Sequence, residues 1–205
     1  MQIPHIDTTP PGEPLQDVTG VILAGGRSSR MGRDKALLEV DGVPLFERVL
    51  SVMAPFFSRL LIAGERPDLA RPDLPFVPDI YPGSALGGLH AGLTAAETPW
   101  IFVAACDMPY PSPALIRQIL ACRQGFDVVV PRTATGLEPL FALYGKGCLA
   151  PMEAMLRQGS CRIYDFYDEV KVRVLTAEEL PAGADRAFVN INTPTDYGRA
   201  TERKP

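Results

Sequence analysis

The segment LAGGRSSRMGRDK, Leu23 to Lys35, sets Gly25 and Gly26 ahead of Arg27, Arg30, Arg33 and Lys35. Glycines permit positive φ and close backbone approach, so successive N–H groups can converge on an anion. Arginine suits fixed multidentate phosphate contacts, and lysine suits a mobile charge that neutralises a developing one. The chemistry implied is the holding of a triphosphate or another phosphorylated ligand. The plain alternative is a solvated basic loop beside a Gly-rich turn; its place after an apolar strand pattern favours the phosphate site. The spacing matches neither GxxxxGK[ST] nor GxGxxG.

Asp107 closes the most apolar run, PWIFVAACD, where a carboxylate leaves the interior and enters the crevice above a sheet. That place suits Mg²⁺ bridging phosphates, against the alternative of an Asp opening the turn into the next helix. Asp79, in FVPDIYPG, has the chemistry to accept the paired N1–H and N2–H₂ of a purine, or is an ordinary loop Asp. Gly87 and Gly88 admit either a planar ligand or close helix packing. Asn190 and Asn192, in FVNINTP, face the same side if that segment is a strand, with Asx turns as the alternative. His90 and Cys106 read as packed residues, and no His–carboxylate partner for a nucleophile is evident.

Apolar β-branched runs predict strands at VTGVILAG, SRLLIAG, PWIFVAACD, FDVVVP and VKVRVLT, with a short one in PFVPD and an edge or antiparallel one in LEPLFALYG. Helical patterns fall at GVPLFERVLSVMAPF, ALGGLHAGLTAAE, SPALIRQILAC and CLAPMEAMLRQG, and a shorter one at SCRIYDFYDEV. FVNINTPTDYGRA reads as a short strand, a turn and a last helical turn. The alternation predicts an α/β fold of three layers, with a mostly parallel sheet covered on both faces in a single domain. Residues 1–17 read as a flexible tail and residues 18–205 as the domain.

The 205 residues carry 20 Lys+Arg against 24 Asp+Glu, a formal net charge of −4, which lacks the basic footprint of a nucleic-acid binder. Four cysteines and two histidines without metal-ligand spacing argue against zinc, while a disulfide stays open. No run reaches membrane-spanning length and the N-terminus does not read as a signal peptide, so the expected compartment is the cytoplasm. The 21 prolines sit mostly at element edges and in the tail, the map of punctuated loops.

LAGGRSSRMGRDKALL, Pro78-Asp79, ALGGLHAGL, CDMP, LEPLFALY and FVNINTP occur in the order seen in the molybdenum cofactor guanylyltransferases, which the chain resembles over about residues 18–197. The resemblance implies a Rossmann-like nucleotidyltransferase fold and transfer of GMP from GTP to the phosphate of molybdopterin cofactor, releasing pyrophosphate. It implies Leu23, Ala24, Gly25 and Gly26 as the first nucleotide loop, Lys35 as the phosphate-binding lysine and Asp79 as the guanine-side contact. Asp107 resembles the residue that contacts phosphate and holds Mg²⁺, and Asn190 and Asn192 resemble cofactor-side residues. With Arg30 and Lys35 drawing charge from the phosphates, no general base is needed. Cofactor-delivery and molybdoenzyme maturation proteins are the implied partners.

Some members of this family carry an asparagine after the second strand, where this chain has Ala63-Gly64-Glu65. LAGG and CDMP resemble the guanylyl enzymes rather than the related cytidylyl ones. A cytidylyltransferase, another NTP-dependent nucleotidyltransferase, and a non-catalytic nucleotide-binding protein of the same fold are the alternatives.

Overall fold

The computed structural model describes residues 12–25 and 34–202. In chain order the elements are β1 (Leu15–Leu23), β2 (Glu39–Val40), β3 (Val43–Pro44), α1 (Leu45–Met53), β4 (Phe57–Ala63), β5 (Phe76–Val77), α2 (Ala85–Ala95), β6 (Trp100–Ala105), α3 (Pro113–Ala121), β7 (Val128–Thr133), β8 (Gly136–Leu137), β9 (Phe141–Gly145), α4 (Leu149–Arg157), β10 (Val172–Leu175) and α5 (Pro194–Glu202). β1 begins at Leu15, so residues 15–17, read from sequence as tail, are strand. No helix among the described residues is long and apolar enough to cross a membrane.

The main sheet runs β10-β7-β9-β6-β1-β4-β5, with β8 paired to β7. β6 stands at its middle, as its apolar run predicts. The pairs β1/β4, β1/β6, β4/β5 and β7/β10 are parallel. β9 is antiparallel to both neighbours. The antiparallel reading of LEPLFALYG therefore holds, but its place at an edge does not. The link from β7 to β9 is too short for a crossover, so β9 must return antiparallel. Its Phe141 to Gly145 are buried throughout, because it inserts between β6 and β7.

Alternation splits each strand between two cores. Ile22, Phe102, Ala104, Val129 and Leu143 face α1 and α3, whereas Val21, Leu23, Ile101, Val103, Val130 and Tyr144 face α2 and α4. That makes three layers, helix, sheet, helix. Ser112 caps α3 by accepting from Leu115 N, with Pro113 in the first turn.

Register then sets the functional rim. Leu23 is level with Ala63 on one side and Ala105 on the other, and Ala63 is level with Val77. The residues following four parallel strands therefore emerge together at their C-terminal ends, where the chain leaves β1 for opposite sides.

The C-terminal segment departs from its predicted form. FVNIN is not a strand: Ala184–Phe188 is a 3₁₀ helix, residues 189–192 are irregular, and among the described residues the only ladder-like bond is Ile191 N to Asp107 O at 3.0 Å. Thr193 and Asp196 then cap α5 reciprocally, Asp196 Oδ2 accepting from Thr193 N at 2.9 Å and Thr193 Oγ1 accepting from Asp196 N at 3.1 Å. This pairing starts a nine-residue helix where a single turn was expected. Leu38, Val40, Leu45, Ile191 and Ala200 form a third cluster with Tyr110 and Tyr197, fastening the 34–45 segment to the C-terminal helix.

Candidate active site

Lys35 opens a 3₁₀ turn whose geometry Asp34 sets, its Oδ1 accepting from Ala36 N at 3.1 Å. Buried Ala36 and the third cluster anchor that turn, and Lys35 Nζ reaches across to the end of β6. It donates to Asn192 Oδ1 at 2.6 Å and lies 3.5 Å from Asp107 Oδ2. The structure thus brings together Lys35, Asp107 and Asn192 from three separate stretches of chain.

Asp107 is four-fifths buried at its side chain. Burial pushes its carboxyl above the ordinary carboxylate value, and Lys35 only partly opposes this. Its main chain is tied on both sides, through Cys106 N to Leu23 O at 3.0 Å and through Ile191. Cys106 is inert packing, as expected, with its thiol pushed up to about 12 by burial. All four cysteines are free, which closes the disulfide question.

Leu23, Ala24 and Gly25 end β1 and lead into the cleft; Gly26 and Arg30 lie outside the described residues. Asp79 sits between two glycines: its Oδ1 is 3.5 Å from where a Cβ on Gly88 would stand, and its Oδ2 is 3.7 Å from that of Gly25. Oδ1 is shielded from solvent and has no hydrogen-bond partner among the described residues. Burial raises the Asp79 carboxyl, and nearby Glu65 adds to it. The carboxylate thus lies in a slot between two glycines, an acceptor without a partner among the described residues. Gly87 has a different task, since a Cβ there would meet Tyr81 O at 1.9 Å; it lets the 79–84 segment pack on α2.

Asn190 does not join Asn192. Its Nδ2 donates to Phe188 O at 3.3 Å and its Oδ1 is buried without a partner. The shared face expected of the two amides is lost with the strand. His90 is buried as read, edge-on to Tyr81 at 5.4 Å, and burial lowers its pKa.

One contributor escaped the sequence reading. The Arg66 guanidinium bonds Asp34 at 2.8 and 3.0 Å and Asp68 at 2.8 and 3.0 Å, bracing the residue next to Lys35. The Asp68 bond first, then the Asp34 charge, hold Arg66 above its ordinary pKa against burial. An arginine three residues past the end of β4 and directly before Pro67 was the available signal. Gly64 replaces a side chain with backbone: its φ is 128°, and a Cβ there would stand 2.6 Å from Gly25 N. Gly64→Ala is expected to destabilise the fold by about 1–3 kcal/mol and to displace Gly25. Urea unfolding and GTP titration read the two effects.

Two surface hollows, of about 280 and 360 Å³, lie at the other ends of the strands, beside Thr19 and Glu97 and beside Trp100 and Lys171. Neither hollow is lined by Lys35, Asp79, Asp107 or Asn192.

A level rim of parallel strand ends carrying Gly25, Lys35 and a largely buried Asp107 fits a nucleotidyltransferase, since open α/β sheets place ligands at that end and a lysine there can neutralise phosphate. Residues 20–172 match the family described as the MobA-like NTP transferase domain. A probable molybdenum cofactor guanylyltransferase of Pelotomaculum thermopropionicum is 46% identical over 191 residues, covering 91% of this chain and 93% of that protein. A molybdenum cofactor guanylyltransferase of Vibrio parahaemolyticus is 35% identical, covering 87% and 92%. The crystal structure of molybdopterin-guanine dinucleotide biosynthesis protein A from Archaeoglobus fulgidus superposes with a TM-score of 0.77 at 28% identity, covering 90% and 97%. The chain belongs to the molybdenum cofactor guanylyltransferase family, within the Rossmann-like nucleotidyltransferases.

Proposed function

We propose that this protein transfers GMP from GTP to the terminal phosphate of molybdopterin cofactor, releasing pyrophosphate. The observation that carries the reading is Lys35 held between Asp107 and Asn192 on the rim of strand ends that also carries Asp79. The relatives' names support the same substrates.

An acceptor phosphate oxygen attacks the α-phosphorus. One P–O bond forms, the bond to the β-phosphate bridge breaks, and pyrophosphate leaves with the electron pair. The nucleophile is already ionised, so alignment and charge neutralisation carry the rate. Asp79 accepts the guanine N1–H and N2–H₂ and sets the base, while Gly25 brings backbone N–H close to phosphate. Lys35, aimed by Asn192, neutralises charge on the phosphates.

The residues fit Mg²⁺. Asp107 offers oxygen on a largely buried carboxylate that one lysine at 3.5 Å compensates only partly. The described residues contain no group of three His, Cys, Asp or Glu, so phosphate and water would complete the set, as this ion prefers. When bound, the ion supplies Lewis-acid stabilisation of phosphoryl charge.

The test is pyrophosphate release with GTP or CTP, with and without molybdopterin. GTP-dependent, acceptor-dependent release is expected. A preference for CTP would favour the cytidylyl reading, and binding without turnover the non-catalytic one. Asp79→Asn is expected to weaken GTP binding by about 10- to 100-fold and to leave CTP binding nearly unchanged.

The same variant should be more stable near neutral pH. The folded-state pKa of Asp79 lies above its ordinary value of 3.8, so the folded state holds this proton more tightly than the unfolded chain. Its contribution therefore falls as pH rises from the unfolded value through the folded one, then levels off. Thermal melts across the acid range should show this decline in wild type and a smaller one in Asp79→Asn.

A further inference from the structure

Asp79 is not the only half-buried carboxylate on this rim. Ala105 N donates to Leu140 O at 3.0 Å, so the loop before β9 stands beside the end of β6. Asp107 lies two residues beyond Ala105, and Glu138 lies two residues before Leu140. Both continue past the sheet on neighbouring antiparallel strands. Glu138 is therefore on the β7/β9 side of Asp107, and Asp79 is on the β1/β4/β5 side.

The position of Glu138 is set by its own backbone, N to Pro131 O at 2.9 Å and O from Phe141 N at 3.2 Å. Thr133 Oγ1 holds Glu138 Oε1 at 2.9 Å, and Thr135 Oγ1 lies 2.8 Å from the Thr133 hydroxyl. No lysine or arginine among the described residues forms an ion pair with it. Burial raises its carboxyl above the ordinary value although hydroxyls from Thr133 and Thr135 oppose the rise. A glutamate serving only solubility would extend into water. This one is partly desolvated, oriented through one oxygen by a hydroxyl and left without a cation among the described residues, a state that N–H donors relieve.

We propose that Glu138, oriented by Thr133, binds the N–H edge of the acceptor's pterin ring, across Asp107 from the Asp79 slot. The inference rests on the proposed function for the identity of the acceptor. A pterin carries a ring N–H beside an exocyclic amine, the same donor pair that guanine presents. The two heterocycles of the product thus make equivalent demands, and the rim holds a half-buried carboxylate on either side of the phosphate-handling residues.

The test uses the full chain and its isosteric variant Glu138→Gln, with Glu138→Ala alongside. At saturating GTP, KM for molybdopterin should rise by about 10- to 100-fold, with the loss falling on KM rather than kcat. GTP affinity and thermal midpoint report that the remainder of the site is folded. A second measurement uses 6-carboxypterin and the matching lumazine, in which oxygen replaces the 2-amino group, as competing ligands. Wild type should prefer the pterin, and Glu138→Gln should lose that preference. GMP transfer to molybdopterin with the same acceptor KM in both variants would overturn the inference alone. A wild type that transfers no GMP to molybdopterin would overturn the proposed function, and with it the acceptor assigned to Glu138.

Discussion

Asp107→Asn is expected to lower GMP transfer by about 1,000-fold or more while leaving the protein folded. The loss is large because, in the proposed reaction, this carboxylate beside Lys35 would hold the divalent ion. The amide keeps the shape and removes the charge. The fold should survive because what ties this residue in place is main chain, the Cys106 N bond to Leu23 O and the Ile191 N bond to Asp107 O. Neither needs the side chain. Burial already penalises the ionised group, so a neutral replacement relieves that penalty. Pyrophosphate release and a thermal melt on one preparation provide the check. Turnover within tenfold of wild type would remove Asp107 from the mechanism.

Lys35→Ala should reduce kcat/KM for GTP by about 100- to 1,000-fold. The geometry indicates how Lys35 is aimed. Its contact with Asn192 is short, at 2.6 Å, whereas its approach to Asp107 is long, at 3.5 Å. Asn192 therefore orients Nζ, and the looser ion pair leaves it available to phosphate. Asn192→Ala alone should cost about tenfold, less than loss of the charge itself. In the double variant the two losses should not add, because an amide that acts only by aiming Lys35 has nothing to aim once Lys35 is gone. A double-mutant cycle measures this. Full additivity would mean that Asn192 meets the substrate independently of Lys35.

The sequence was most informative where a local pattern and the tertiary result obey the same rule. Apolar runs ending in Gly25 and in Asp107 identified two strands and the end at which each delivers its functional residue, and both lie on the rim. Ser112 and Pro113 marked the start of α3 correctly because a cap is a local interaction. The reading failed where residues distant in sequence decide the outcome. FVNIN has strand composition, but among the described residues it finds no ladder beyond one bond to Asp107, so residues 189–192 stay irregular, and Thr193 with Asp196 starts a helix directly after them. That separates Asn190 from Asn192. LEPLFALYG carries no sign that it will insert between β6 and β7, because a strand's neighbours are not encoded in its own residues.

By itself, the sequence determined the α/β class, the family, and the identities of Lys35, Asp79 and Asp107 as candidate site residues. These rest on periodicity, on chemical type and on the motifs that carry the resemblance. The tertiary structure alone decided which groups meet. Lys35 and Asn192 stand 157 positions apart in the chain, yet their side chains are in contact. Arg66 braces Asp34 from a loop that reads as surface, and Glu138 stands on the far side of Asp107 from Asp79. The reason is that charge compensation and burial depend on distance in space. Those distances arise from strand register and from the cluster that fastens the 34–45 segment to the C-terminal helix.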